Sequence, residues 1–96
     1  MQENANKVLI QSGTAGFDEK NDILVTVAPG QAGQGITVKL VSPVKFQYGK
    51  QMEKVIRETV QGAGFSDVTV DAIDKSAWDY TIKARVLGAL ERGMKK

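Results

Sequence analysis

The sequence predicts an α+β domain of two layers, an antiparallel sheet in β-β-α-β-β order packed on one long helix, with a short C-terminal helix. Three observations carry this. Two β-branched runs, at 23–28 and 36–41, flank a glycine-rich turn; apolar residues between Tyr48 and Val60 recur at spacings of three and four; and two later segments alternate with period two. With 96 residues the chain amounts to one domain, spanning 1–96, with one core.

Residues 1–6 are polar and expected to be disordered. Lys7–Ile10 (KVLI) is a short apolar run that reads as a strand, and Gln11–Asp22, with two glycines and a polar cluster, reads as a loop. Ile23–Ala28 (ILVTVA) is a strand ended by Pro29 and Gly30. The turn GQAGQG leads to Ile36–Val41, where Ile36, Val38 and Leu40 alternate with Thr37 and Lys39, so the two strands suggest an antiparallel hairpin. Ser42 and Pro43 have the character of a helix cap and first helical residue. Beyond them Tyr48, Met52, Val55, Ile56 and Val60 form one apolar stripe, and Gly62 and Gly64 supply the stop.

Val68, Val70 and Ala72 alternate with Thr69 and Asp71, giving another strand. The following stretch has two readings. Ser76 and Asp79 have capping-box spacing, and Trp78, Ile82, Val86 and Leu90 share a helical face. Against that, Trp78, Tyr80, Ile82, Ala84 and Val86 alternate unbroken with Asp79, Thr81, Lys83 and Arg85, which favours a strand over 78–86. Asp74-Lys75-Ser76 is then a hairpin turn, and Leu87–Arg92 a short helix.

Composition narrows the function. With 13 basic and 11 acidic side chains, the net charge of +2 is too balanced to argue for nucleic acid or an anionic membrane. There is no cysteine and no histidine, which removes disulfides, thiolate metal sites, a cysteine nucleophile and the commonest general base. No segment has the length of a membrane span or the pattern of a signal peptide, so a soluble cytoplasmic protein is expected. Asp71, Asp74 and Asp79 lie close in sequence, but at a turn, where aspartate serves local hydrogen bonding. GQAGQG lacks the lysine-serine pair of a phosphate-binding loop. Trp78 and Tyr80 with Lys83 and Arg85 could form a stacking platform, although the alternation separates aromatics from cations. No independent active site emerges.

Asp74–Arg85, DKSAWDYTIKAR, resembles the D-K-G-A-L-D-C-x-I-K-A-R signature of the citrate lyase acyl carrier (gamma) subunits. Upstream, KFQYGKQMEKVIRE at 45–58 is similar to their K-Q-F-G segment and the helix after it. Ala15-Gly16, Asp22 and ILVTVAP resemble their A-G-x-x-E-S-S-D stretch and the next strand. The likeness runs in order from about residue 15 to 92. It implies a non-catalytic subunit that holds an acyl group on a phosphoribosyl-dephospho-CoA arm attached through a serine. The implied partners are an alpha acyl-transferase subunit, a beta lyase subunit and a prosthetic-group transferase. Citrate or citramalate is the implied acid.

The attachment serine is where the chain departs. The E-S-S-D stretch falls on Glu19-Lys20-Asn21-Asp22, and no serine occurs between Phe17 and Val41. Three explanations stay open: the arm moves to Ser12, with Thr14 a poorer choice; the chain is an unmodified structural or regulatory subunit that binds the large lyase subunits; or it is loaded by another chemistry. Ser12 also reads as an ordinary turn residue. Lys83 and Arg85 are candidates for docking partners or the phosphates of the arm, or else a solvated face. Ser76 replaces a glycine of the signature, at a turn position where glycine serves a positive φ.

Overall fold

The computed structural model describes residues 7–95, so the expectation for residues 1–6 lies outside the described residues. Four strands and two helices follow in the order β1 (Gly13–Ala15), β2 (Ile23–Pro29), β3 (Ile36–Val41), α1 (Lys45–Gly62), β4 (Val68–Asp74) and α2 (Asp79–Met94). The α+β class and the two-layer packing are as expected. The strand order is β1-β2-β4-β3, and here the expectations need correction. The sheet is mixed: β1–β2 and β2–β4 are antiparallel, whereas β3 runs parallel to β4.

The β2–β3 hairpin does not form, because β4 lies between the two strands. Its core-facing residues Val68, Val70 and Ala72 are all buried, which suits the centre of the sheet. The 18-residue α1 supplies the crossover that a parallel β3–β4 pair requires. The connection 30–35 arches over the start of β4 instead of turning back. Gly30 N–H donates to the Asp67 carbonyl at 3.1 Å, and Gly35 N–H to the Asp67 carboxylate at 2.9 Å.

The segment 78–86 is not a strand but the first half of α2, which also absorbs the short helix expected at 87–92. Its buried residues Ile82, Val86, Ala89, Leu90 and Gly93 follow helical spacing. The apparent alternation came from Trp78, Tyr80 and Ala84, all exposed. The capping box is likewise absent: Trp78 is the N-cap and makes no side-chain cap. The turn at 74–76 is real, but it joins a strand to a helix.

Nor is Lys7–Ile10 a strand. It contributes one bridge, Lys7 to Phe65, because only Leu9 of the run is buried while Val8 and Ile10 face outward. The first strand falls inside the expected loop, at Gly13–Ala15. The Ser42 cap is displaced too: α1 begins at Lys45, and the Ser42 hydroxyl accepts the Val44 N–H at 3.1 Å in the preceding turn. Within α1 the buried stripe is Gly49, Met52, Val55, Ile56 and Val60, with Tyr48 exposed. The core lies between the helices and the sheet face carrying Ile23, Val25, Val27, Val68 and Val70, all fully buried. The opposite face bears Thr14, Thr26, Lys39, Thr69 and Asp71 and, among the described residues, has no helix over it.

Candidate functional site

At one end of the sheet the β1–β2 loop, the β4–α2 turn and the start of α2 meet. Gly16, at φ +91°, turns the chain out of β1, and a Cβ there would collide with the Ile23 carbonyl. The loop closes in a tight turn, Asp22 N–H to Glu19 carbonyl at 3.0 Å, with Asn21 at φ +65° in its third position. Lys20 is the exposed residue at its tip.

The loop is anchored along its length. Asn21 N–H donates to the Lys75 carbonyl at 2.7 Å, and Lys75 N–H to the Asp22 carbonyl at 2.9 Å. The Lys75 ammonium reaches Asp18 at 3.3 Å. Arg85, from the second turn of α2, grips Asp22 through Nε at 3.0 Å and Nη2 at 2.8 Å, and lies over the Phe17 ring. The Arg85 guanidinium therefore holds the Asp22 carboxyl below the usual carboxylate range against the opposing cost of burial, with the Ile23 N–H adding to the same effect. Asp22 in turn raises Arg85.

A depressed carboxylate pKa contributes stability that is fully present above the unfolded value and is lost as pH falls through the folded one. Arg85→Gln should therefore cost about 1 kcal/mol above pH 5, an amount kept small because Arg85 is 37% exposed. The difference from the wild type should shrink as pH falls through the depressed pKa of Asp22 and vanish only below it, once the carboxyl is protonated in the folded state. Urea unfolding across that range is the check, and a difference that persists at the acid end would deny the pairing its role.

Beneath the turn lies Asp74, 1% exposed. Its carboxylate accepts the Ser42 hydroxyl at 2.8 Å, the Ser76 N–H at 3.0 Å and the Ala77 N–H at 2.9 Å. That places the carboxylate in a structural cap ahead of α2, and ties it to the turn that opens α1. Ser76 sits at φ +71°, the conformation expected of a position suited to glycine. Ser76→Gly keeps the N–H that Asp74 accepts and relieves the strain, so it should stabilise by about 0.5–1 kcal/mol, read as a melting temperature raised by several degrees.

An open groove of about 670 Å³ runs beside the turn, between the starts of the two helices. Val44 and Met52 contribute apolar wall; Tyr48, Trp78 and Tyr80 are 58%, 65% and 72% exposed. Gln51 donates to the Asp79 carboxylate at 3.2 Å across it.

The residues singled out from sequence are scattered. Ser12 is exposed and precedes β1 at the other end of the sheet, where Gln11 bonds the Arg92 and Lys95 carbonyls of the α2 terminus. From the β1–β2 register it lies roughly 17 Å along the sheet from the Glu19–Asp22 turn. The Thr14 hydroxyl pairs with Thr26 at 3.3 Å on the outer face. Lys83 and Arg85, two residues apart on a helix, point about 200° apart. Lys83 is exposed beside Glu58 and Leu87, while Arg85 is committed to Asp22. Sequence reasoning missed the Asp22–Arg85 pair, although both residues lie in the segments that carry the family resemblance. It also took Asp74 only as a turn residue. Among the described residues no cluster of His, Cys, Asp or Glu could hold a metal ion, and no helix is long and apolar enough to cross a membrane.

The site is thus an anchored loop on a small α+β scaffold, and comparison with known proteins gives its family. The acyl carrier protein family described as malonate decarboxylase delta subunit (MdcD) matches residues 10–93. Among curated proteins, the citrate lyase acyl carrier protein of Streptococcus mutans is 49% identical over 82 residues, 85% of this chain and 79% of that protein. The citrate lyase acyl carrier protein of Halothermothrix orenii is 42% identical over 85 residues, 88% of each. A crystal structure of a Pseudomonas malonate decarboxylase hetero-tetramer with malonate contains a similar fold, with a TM-score of 0.72 over 93% of this chain and 90% of that one; at 16% identity the likeness is one of fold. The chain belongs to the acyl carrier protein family of the citrate lyase and malonate decarboxylase type.

Proposed function

We propose that this chain is the acyl carrier subunit of a citrate lyase-like or citramalate lyase-like complex in the cytoplasm, holding an acyl group on a covalent CoA-derived arm and catalysing nothing itself. The observation that carries the reading is the 49% identity to a carrier protein across 85% of the chain. The arm is phosphoribosyl-dephospho-CoA, which supplies the thiol that this cysteine-free chain lacks and on which acyl groups travel as thioesters. Alpha acyl-transferase and beta lyase subunits are the working partners, and a prosthetic-group transferase installs the arm.

Ser12 is the proposed attachment residue. Lys20 and Asn21 have no hydroxyl with which to form a phosphodiester, whereas Ser12 is exposed and next to a helix end bearing Arg92 and Lys95, cations suited to an arm's phosphates. Lys83 is a proposed partner contact. Arg85, first considered for the same task, serves it indirectly by holding the loop.

A second reading is favoured by one observation, the placement of Ser12 at the opposite end of the sheet from the anchored turn. On that reading the chain is an unmodified structural or regulatory subunit that binds the large lyase subunits. Intact mass of the protein from its native source, followed by peptide mapping, separates the two. The tryptic peptide Val8–Lys20 contains Ser12 and Thr14. Added mass of the arm on that peptide is the expected result. An unmodified chain, in cells whose other carriers are loaded, overturns the carrier reading and leaves the structural one.

A further inference from the structure

The groove between α1 and α2 has a chemistry unlike the rest of the surface. The chain as a whole is basic, at +2, yet among the described residues no lysine or arginine lines the groove, and Asp79 is the one charged residue on its wall. The Gln51 amide holds that carboxylate in place from α1. Around it stand Tyr48, Trp78 and Tyr80, each more than half exposed. Three large aromatics exposed side by side on a monomer mark a recognition surface. Tryptophan and tyrosine are the residues that dominate binding energy when buried against a partner. Aromatic faces next to a carboxylate match a guanidinium, which stacks on the rings and hydrogen-bonds the acid.

The occupant can be narrowed further. A second copy of this chain would have to supply the arginine, and the chain has three. Arg85 is bound to Asp22, Arg92 donates to the Thr14 carbonyl at 2.7 Å, and Arg57 donates to the Ile36 carbonyl. All three already hydrogen-bond within their own chain, so a second copy would have to release one of them to dock, which favours a guanidinium from another protein. Asn21 lies on the groove's rim, so whatever docks there also meets the anchored turn.

We propose that this groove is the docking site for a large subunit of the complex, and that it receives an apolar side chain flanked by an arginine of that subunit. The proposal rests on the reading of the chain as a subunit of such a complex, but not on whether the arm is attached. Trp78 is the only tryptophan, so its fluorescence reports occupancy of the groove directly.

The test titrates the wild-type chain with the purified acyl-transferase and lyase subunits from the same organism, each alone, by calorimetry and Trp78 emission. Trp78→Ala and Tyr80→Ala should each weaken binding of the partner roughly 30-fold, the effect of a central aromatic anchor. Asp79→Asn should weaken it about 5- to 10-fold, and Lys39→Ala, on the outer sheet face, should leave it unchanged. Thermal melts confirm that these surface variants fold. If the wild type binds and the groove variants bind equally well, the docking site is elsewhere and the subunit reading stands. If the wild type binds neither large subunit, the subunit reading falls and the docking site with it. A concentration-dependent dimer that Trp78→Ala dissociates would show that a second copy covers the groove, and would also overturn the proposal.

Discussion

Replacing Gly13 by alanine should lower the stability of the domain by about 3 kcal/mol, a loss of roughly 12–24 °C in melting temperature for a chain of this size. Gly13 is buried in β1 where the strand crosses under α2. A Cβ there would run into the Ala89 carbonyl oxygen and come within 2.6 Å of the Gly93 nitrogen. Both obstacles are helix backbone, so no rotamer change relieves them, and either β1 or α2 must move. β1 has only three residues with which to resist. Gly62→Ala, at the end of α1 with open space around it, is the control and should be neutral or slightly stabilising. Equal melting of Gly13→Ala and wild type would show that β1 and α2 do not pack this closely in solution.

Asp74→Ala should cost about 3 kcal/mol as well, for a different reason. The carboxylate satisfies two backbone N–H groups and the Ser42 hydroxyl in a site shielded from water. Removing it leaves the Ala77 N–H, within the buried part of the turn, without an acceptor, and such an orphan costs about 1–3 kcal/mol in addition to the lost charge-assisted bonds. Asp74→Asn retains one carbonyl oxygen but sets an NH₂ against the remaining donors, so an intermediate loss of about 1–2 kcal/mol is expected. Ser42→Ala should lose about 1 kcal/mol, and much less in the Asp74→Ala background, since the two residues share one bond. Urea denaturation with unchanged m-values measures all four. Additive losses would mean that Ser42 and Asp74 act independently.

How far the sequence foretold this molecule depends on which residues carry each pattern. The long helix was legible because Met52, Val55, Ile56 and Val60 are both periodic and buried. β2 and β3 were legible because β-branched residues fill them. α2 was misread for a local reason: Trp78, Tyr80 and Ala84 are apolar yet exposed, and together with Ile82 and Val86 they imitate a strand. The same exposed aromatics that defeated the period argument form the groove, so the error fell on a surface kept for another use. Gly13 misled in the opposite direction, since a glycine that permits close packing reads as punctuation. Strand order was beyond reach, because nothing in β2 or β3 alone records that a third strand will come between them. In the site, the Asp22–Arg85 pair spans 63 positions and shows itself only in the fold, whereas the positive φ at Ser76 followed from a single glycine-to-serine departure.

The central place of β4 has a temporal consequence. Ile23 pairs with Asp74, and every backbone group of β2 facing that side waits for residues 68–74. On a ribosome adding about 5–20 residues per second, β2 and β3 emerge roughly two to nine seconds before the strand that joins them is complete. Until then they present two unpaired edges with an empty slot between, each able to recruit a strand from another nascent chain. A fragment ending at Gly62 would remain in that state permanently, with both edges open and half the core missing. Truncation ahead of β4 should therefore yield not a smaller domain but an aggregating one, and the order in which the ribosome delivers the strands makes residues 68–74 the step that commits the sheet to its fold.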